Sequence, residues 1–184
     1  MSEWFDIVDE NGNPTGKTVE REYAHRNGVW HRTAHLWLAR VKNGHTQILL
    51  QKRSATKDSH PGCYDISSAG HIPAGVDYPA SAIRELKEEL GIDAAETELI
   101  YCGDRTVVWD ACFYGKPFRD RQHSRVFLLW RDLTEEEFSV DPAEVESVRW
   151  MDFDECCQGV EKGLFPNCIA MEELQMLKNV FVIK

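Results

Sequence analysis

The sequence predicts one domain of the α/β or α+β class, in which a mixed β-sheet is combined with a small number of helices. The 184 residues correspond to a single domain at about 150 residues per domain. Strand-like runs dominate the N-terminal part, an amphipathic helical segment lies near the middle, and helical segments follow towards the C-terminus. Because strands and helices do not alternate regularly, a repeated β–α–β arrangement is not expected.

The N-terminal region predicts a β-hairpin with strands at residues 4–8 and 18–21. The segment NGNPTG between them is rich in Gly, Asn and Pro, which favour turns. Residues 1–24 are therefore interpreted as a hairpin extension. The runs HRTAHLWLARV and QILLQKR, joined by KNGHT, predict two further strands. The stretch GCYDISSAG predicts another strand, which ends at Gly70.

The segment YPASAIRELKEELG, residues 78–91, carries the clearest helix pattern in the chain. Pro79 suits the first turn, Asp77 or Ser81 could cap it, and Gly91 fits its C-terminal end. Apolar residues at helical spacing predict one buried face, made of Ile83, Leu86 and Leu90. Helical geometry places the glutamates of RELKEEL on roughly the opposite side.

The remaining elements follow in the same way from apolar runs and helical periodicity. Strands are predicted at residues 97–107, 125–130 and 148–152, and helices at residues 153–162 and 171–180.

Composition and charge narrow the classes of function. The net charge of −10 disfavours a broad basic surface for duplex nucleic acid. An acidic pocket would suit a small phosphorylated ligand that is held through a divalent metal. No apolar run reaches the roughly 20 residues of a membrane helix, and the N-terminus lacks a signal-peptide pattern. We therefore expect a cytoplasmic protein that has no membrane partner, and whose six cysteines are reduced.

The stretch RELKEEL predicts a metal site. It places Glu85, Glu88 and Glu89 within five consecutive positions, and like charges at helical spacing repel one another. A divalent cation would remove that repulsion, since Mg²⁺ prefers hard oxygen ligands. Taken alone, the pattern is more typical of a solvated helix face.

The surrounding residues resemble the Nudix box, G-x5-E-x7-R-E-U-x-E-E-x-G-U, where U is aliphatic. The box spans residues 70–92, and its matching positions are Gly70, Arg84, Glu85, Leu86, Glu88, Glu89, Gly91 and Ile92. Val76 stands where the family has its first glutamate. The resemblance implies a Nudix fold for residues 1–184, with a mixed sheet sandwiched between helices and the hairpin added at the N-terminus.

The same resemblance assigns roles to the box residues. It implies Mg²⁺ or Mn²⁺ bound mainly by Glu88 and Glu89, with help from Glu85 and the carbonyl of Gly70. Glu88 or Glu89, or an acid from a later loop, would be the general base. The family's first glutamate orients the arginine, so Arg84 here either lacks that partner or uses Asp77.

Beyond the box, the chain resembles the branch that contains isopentenyl diphosphate isomerase and its hydrolase relatives. The segments HRTAHLWL and LLQKRSATKDSHPGCYDISSAGH carry this resemblance. The isomerases need a cysteine where this chain has Ala69, and an acidic pair where it has Asp120 and Gln122. Hydrolysis is therefore preferred over isomerisation, which needs an acid and a base on opposite faces of the substrate.

The branch resemblance also implies ligands outside the box. Arg53 and Lys57 match side chains that grip the diphosphate, although an ordinary exposed basic pair is an equal alternative. His25, His31 and His71 match histidines that hold a metal in the isomerases, and three imidazoles suit Zn²⁺ or Mn²⁺. The alternative is that these histidines only line the pocket.

The resulting hypothesis is a metal-dependent pyrophosphohydrolase. Its substrate would be a small nucleoside diphosphate derivative or an isoprenoid diphosphate. The alternatives are an isopentenyl diphosphate isomerase-like enzyme and a catalytically silent diphosphate-binding or regulatory protein. The oligomeric state stays open, with a homodimer as one alternative.

Overall fold

A computed structural model describes residues 3–57, 59–113 and 115–182 of the protein. The strands are β1 (Trp4–Val8), β2 (Pro14–Glu20), β3 (His31–Lys42), β4 (His45–Arg53), β5 (Tyr64–Asp65), β6 (Ser68–His71), β7 (Ile100–Phe113), β8 (Lys116–Trp130) and β9 (Val145–Asp152). The helices are α1 (Arg21–Asn27), α2 (Tyr78–Leu90), α3 (Phe153–Lys162) and α4 (Met171–Val182). Within the described residues, no helix is long and apolar enough to span a bilayer.

The central sheet is mixed, as predicted. Its strands lie in the order β5-β4-β3-β8-β7, while β6 pairs with β3 and β9 pairs with β4. β3 and β8 run parallel, with His31 opposite Gln122. The other strand pairs of the sheet are antiparallel. The N-terminal hairpin of β1 and β2 forms a separate two-stranded sheet.

Helices cover both faces of the sheet because side chains of β3 alternate between two apolar cores. Trp37 packs in one core with residues of α3 and α4, including Phe153 and Leu174. Leu36 packs in the other core with residues of α2, including Leu86. This alternation follows from the two-residue period of a strand, and it confirms the predicted sheet between helices.

The N-terminal hairpin is held against the main body by backbone and side-chain contacts. Ala74 donates a backbone hydrogen bond to Trp4, and Arg32 pairs with Asp6 at 2.8 Å. The predicted second strand at residues 18–21 is longer at its start and ends at Glu20. Arg21 begins α1 instead, which carries His25 towards the sheet.

Several predicted boundaries were wrong because pairing partners, and not local apolar runs, set the strand lengths. The strand predicted at residues 97–107 begins at Ile100, and that predicted at residues 125–130 begins at Lys116. The two form one long hairpin whose outer part continues the ladder up to Phe113. The segment GCYDISSAG forms two short strands, because β5 pairs with β4 whereas β6 pairs with β3.

Candidate active site

Helix α2 forms from local signals that agree with the prediction. Asp77 caps its N-terminus by accepting a hydrogen bond from the backbone N–H of Tyr78, at 2.7 Å. Pro79 lies in the first turn, where its missing N–H costs nothing. Gly91 adopts φ 72° and ends the helix, a conformation that glycine enters without steric cost. Asp77 is therefore a capping residue, and the structure does not pair it with Arg84.

The glutamates of α2 do not share one solvated face, which corrects the simple amphipathic picture. Glu89 is only 7 % exposed, and its Oε2 accepts a hydrogen bond from the backbone N–H of Ala69 at 3.3 Å. Burial raises the pKa of Glu89 to about 8. The buried face is made by Ala82, Leu86 and Leu90, whereas Ile83 is only partly buried.

Glu85 lies directly against the backbone of β6. Its side chain is 14 % exposed, and burial raises its pKa to about 7 despite the neighbouring Arg84. A Cβ atom added to Gly70 would overlap the side chain of Glu85. A side chain at position 70 therefore fits only if Glu85 moves away.

Arg84 is held by the box glutamates themselves. Its Nη1 donates to Glu88 at 2.6 Å, and its Nη2 donates to Glu85 and, at 3.3 Å, to the carbonyl of His71. Val76 packs against the α2 core instead of presenting a carboxylate. Arg84 thus has partners in this structure although the first glutamate of the box is absent.

The donor set of this site fits a hard divalent cation. Glu85 and Glu89 are two carboxyl groups in a poorly solvated place, and their raised pKa values show that ionisation there lacks sufficient compensation. Glu88 adds an exposed carboxylate on the same helix. Oxygen ligands of this kind suit Mg²⁺ or Mn²⁺.

We expect Gly70→Ala to displace Glu85 and to reduce the diphosphate hydrolysis that the box resemblance implies by about tenfold or more, the size of the effect of disturbing a metal-site carboxylate, with only a small loss of stability. The added methyl group overlaps a flexible side chain, which can move aside. Rates and urea unfolding should be compared for Gly70→Ala, Glu85→Ala and the double variant. If Glu85 carries the effect, the double variant will be no slower than Glu85→Ala. Additive losses would contradict this interpretation.

Three histidines from separate elements lie close together, next to the first glycine of the box. His25 comes from α1, His31 from β3 and His71 from β6. Their ligand atoms lie within 4.8 Å of one another, and Nε2 of His25 lies 3.2 Å from Nε2 of His71. Asp120 Oδ1 lies 3.8 Å from Nε2 of both His25 and His31.

The hydrogen bonds of this cluster aim ring nitrogens towards one another. Nδ1 of His25 lies 3.0 Å from the carbonyl of Arg21, and Nδ1 of His31 lies 2.8 Å from that of Val29. A carbonyl only accepts, so each Nδ1 carries the proton and each neutral ring keeps a lone pair on Nε2. Burial lowers the pKa of His25 and of His31 to about 4, which keeps both rings neutral near pH 7.

Arg53 and Lys57 line the same open cavity as the box glutamates, with a volume of about 1400 Å³. Arg53 is engaged by Asp65 at 3.0 Å and by the carbonyl of Ser59. Lys57 donates to Glu144. Their role in gripping a diphosphate stays a prediction. Asp141 and Glu144 are the acids of the later loop that line the cavity.

The structure adds cavity residues that the sequence did not single out. His35, Arg105 and Glu173 line the cavity, and Glu173 pairs with both His35 and Arg105. His35 and Glu173 are separated by 138 positions, so no local pattern relates them. Asp120, considered only as half of an acidic pair, joins the histidine cluster.

Comparisons with known proteins agree with this geometry. The NUDIX domain model matches residues 31–166. An uncharacterized Nudix hydrolase of Clostridium acetobutylicum is 35 % identical over 162 residues, which cover 88 % of this chain and 76 % of that protein. Nudix hydrolase 3 of Arabidopsis thaliana is 38 % identical over 159 residues, covering 83 % of this chain but only 20 % of that longer protein.

The fold is also found among solved structures. DR0079 from Deinococcus radiodurans superimposes with a TM-score of 0.68 at 18 % identity, over 96 % of this chain and 98 % of that one. At this identity the likeness shows the fold alone, whereas the domain match and the sequence relatives show the family. The chain belongs to the Nudix family of hydrolases.

Proposed function

We propose that the protein hydrolyses a diphosphate linkage in a nucleoside diphosphate derivative or an isoprenoid diphosphate, with Mg²⁺ or Mn²⁺ as cofactor. The observation that carries this proposal is a pair of poorly solvated carboxyl groups, the buried Glu89 and the largely buried Glu85, which line a cavity together with the exposed Glu88. Glu85, Glu88, Glu89 and the carbonyl of Gly70 would hold the metal. When bound, the metal supplies charge neutralisation for the diphosphate and activation of the attacking water.

The protein's own residues would bind the substrate and accept a proton. Water attacks one phosphorus atom, the bridging P–O bond breaks, and the leaving phosphate takes the electron pair of that bond. The proton of the water passes to a carboxylate, and the candidates are Glu88 and Glu89 of the box and Asp141 and Glu144 of the later loop, which all line the cavity. Arg53 and Lys57 would bind phosphate oxygens, and Arg84 would orient Glu85 and Glu88.

The position of Ala69 supports hydrolysis over isomerisation. Ala69 lies in β6 directly opposite His35 of β3, and it lines the cavity beside the box glutamates. A methyl side chain can neither donate nor accept a proton. The chain would thus be a hydrolase relative within the branch of the isopentenyl diphosphate isomerases.

A substrate panel tests the proposed function. Purified protein should be assayed with Mg²⁺ and with Mn²⁺ against nucleoside diphosphate derivatives, dinucleoside polyphosphates and prenyl diphosphates. We expect phosphate-containing products from at least one compound. Double-bond migration in isopentenyl diphosphate would favour an isomerase instead, and tight binding of a diphosphate without turnover would favour a silent binding protein.

We propose in addition that the histidine cluster holds a second metal ion, of the Zn²⁺ or Mn²⁺ type. Two buried polar atoms there, His31 Nε2 and Asp120 Oδ1, have no hydrogen-bond partner in the described part of the chain. Unpaired buried polar atoms are costly, and a cation between the imidazoles and the carboxylate would satisfy both. His25, His31, His71 and Asp120 would be its ligands.

Elemental analysis tests this second site. After incubation with Zn²⁺ or Mn²⁺ and extensive dialysis, we expect about one ion per chain in the wild type. His25→Gln should lose it, because the variant removes one imidazole from the cluster. His45→Gln is the matched control, since His45 is exposed and lies outside the cluster. Absence of stoichiometric metal in the wild type, or equal metal in His25→Gln, would exclude the site.

A further inference from the structure

A buried carboxylate outside the box lines the cavity and binds three nitrogen groups. Glu173, in the first turn of α4, is 1 % exposed. It accepts hydrogen bonds from Trp37 Nε1 at 2.9 Å and Arg105 Nη1 at 2.7 Å, and it binds His35 Nδ1 at 2.8 Å. Burial alone would raise the pKa of Glu173, but His35 and Arg105 hold it at about 2. The group is therefore a permanent anion at neutral pH.

Glu173 fixes both the orientation and the tautomer of His35. An ionised carboxylate only accepts hydrogen bonds, so Nδ1 of His35 carries the proton that it donates. Nε2 is left on the opposite side of the ring, and His35 lines the cavity. Within the described residues, Nε2 contacts Thr33 Oγ1 at 3.5 Å, which is the upper limit for a hydrogen bond.

The hydroxyl of Thr33 makes a shorter contact elsewhere. Its Oγ1 lies 2.7 Å from Ser124 Oγ, a distance typical of a good hydroxyl hydrogen bond. Trp37 and Arg105 already tie α4 to β3 and β7 through Glu173. The long contact with Thr33 is thus the weaker of the two hydrogen bonds of His35, and a polar group of a substrate in the cavity that His35 lines can replace it.

His35 is also close to the box along the sheet. It lies opposite Ala69 in the pairing of β3 with β6, and the backbone N–H of Ala69 donates to Glu89. His35 and the three box glutamates line one and the same cavity. A substrate whose diphosphate is held at Glu85, Glu88 and Glu89 would therefore extend within the space that His35 lines.

We propose that His35 contacts the substrate through Nε2 and selects a hydrogen-bonding group attached to the diphosphate, such as a sugar hydroxyl or a heterocyclic nitrogen. Glu173 is the positioning residue that holds the ring in place. This inference rests on the proposed function and deepens it, because it disfavours a hydrocarbon as the attached group. A hydrocarbon would cover Nε2 without pairing it, which is unfavourable.

Two substitutions separate substrate contact from a purely structural role. In His35→Asn the amide nitrogen takes the place of Nδ1 and can still donate to Glu173, but nothing replaces Nε2. In His35→Gln the amide extends to the place of Nε2, while the bond to Glu173 is lost. If Nε2 contacts the substrate, Gln will preserve binding better than Asn. If His35 only anchors Glu173, the order will be reversed.

The probes are inorganic pyrophosphate, isopentenyl diphosphate and the nucleoside diphosphates ADP, GDP, CDP and UDP, measured by calorimetry with Mg²⁺. We expect the wild type to bind at least one nucleoside diphosphate more tightly than pyrophosphate. His35→Asn should lower the affinity for that compound about tenfold, a loss typical of one hydrogen bond in a partly buried site. Its affinity for pyrophosphate should stay within about twofold of the wild-type value. The affinities of His35→Gln for the nucleoside diphosphate and for pyrophosphate should both stay within about threefold of the wild-type values.

The control is Trp37→Phe, which removes another donor to Glu173 without altering the ring of His35. It should lower stability and keep the ratio of nucleoside diphosphate to pyrophosphate affinity. Three results would each overturn the proposal. The first is an equal loss of affinity for both probes in His35→Asn, and the second is an affinity ratio that His35→Asn preserves better than His35→Gln. The third is a wild type that binds no nucleoside diphosphate more tightly than pyrophosphate. If the wild type binds no diphosphate at all, the proposed function has failed and this inference fails with it.

Discussion

We expect Glu89→Gln to lower the turnover of any diphosphate substrate by about 100-fold to 10,000-fold, the range of a lost acid–base or metal-activating group. The substitution keeps the shape of the side chain and removes its ability to carry a negative charge. Glu89 is buried beside Ala69, so Gln can occupy the same space. The measurement is kcat with saturating Mg²⁺, on the compound from the substrate panel that the wild type cleaves fastest.

The Glu89→Gln variant should stay folded, so that a loss of turnover reports on catalysis and not on unfolding. Burial raises the pKa of Glu89 to about 8, so the metal-free protein disfavours the ionised carboxylate. A neutral Gln should therefore leave the melting temperature without metal unchanged or higher. Glu161→Gln is the matched control, because Glu161 is an exposed glutamate of α3. A variant at position 89 with normal turnover would remove the proposed mechanism.

Glu173→Gln is expected to cost about 3 kcal/mol of folding stability at pH 7, the size of a buried charge network that loses one partner. The pKa of Glu173 is lowered from 4.5 to about 2 by His35 and Arg105. A lowered pKa means that the folded state favours the ionised form. The resulting stabilisation is fully present above about pH 4.5 and is lost as the pH falls towards 2.

The pH dependence gives this prediction a second, independent test. The difference in unfolding free energy between the wild type and Glu173→Gln should be constant from pH 7 to pH 5. Below about pH 4.5 it should shrink by about 1.4 kcal/mol per pH unit. Urea unfolding at pH 7 and pH 3.5 measures both values. Glu172→Gln is the control on the same helix. Glu172 is 57 % exposed and also contacts Arg105, at 3.5 Å, but an exposed ion pair should contribute less than about 1 kcal/mol.

A pH-independent difference would show that the effect of Glu173→Gln comes from packing and not from charge. A loss as large in Glu172→Gln would point instead to the helix N-terminus as a whole. Both results would contradict the assignment of Glu173 as the anion that organises His35 and Arg105. They would leave the box glutamates unaffected, because those belong to α2.

Local signals were sufficient for the elements whose stability is decided within a few residues. Helix α2 was predicted at residues 78–91 and is observed at Tyr78–Leu90, with Asp77 and Gly91 at its ends. Helix α3 was predicted at residues 153–162 and is observed at Phe153–Lys162. Caps and helical periodicity act over one or two turns, so they can be read without knowledge of the rest of the chain.

The pairing of strands that lie far apart in the chain could not be predicted from such local signals. Residues 108–113 of β7 and 116–124 of β8 were not predicted as strands. The segment of β8 is mostly polar, and both segments form strands through pairing with each other. The parallel pairing of β3 with β8 joins segments that lie far apart in the chain. No periodicity within either strand specifies its partner.

The sequence by itself determined the family, the glutamates of the box as candidate metal ligands, and the helix that carries them. Only the tertiary structure decided that Glu89 is buried while Glu88 is exposed, that three histidines meet Asp120, and that Glu173 binds His35. The physical reason is that residue type and spacing fix which groups a helix can present. Burial, pKa and hydrogen-bond partners depend on neighbours that folding brings together from distant segments.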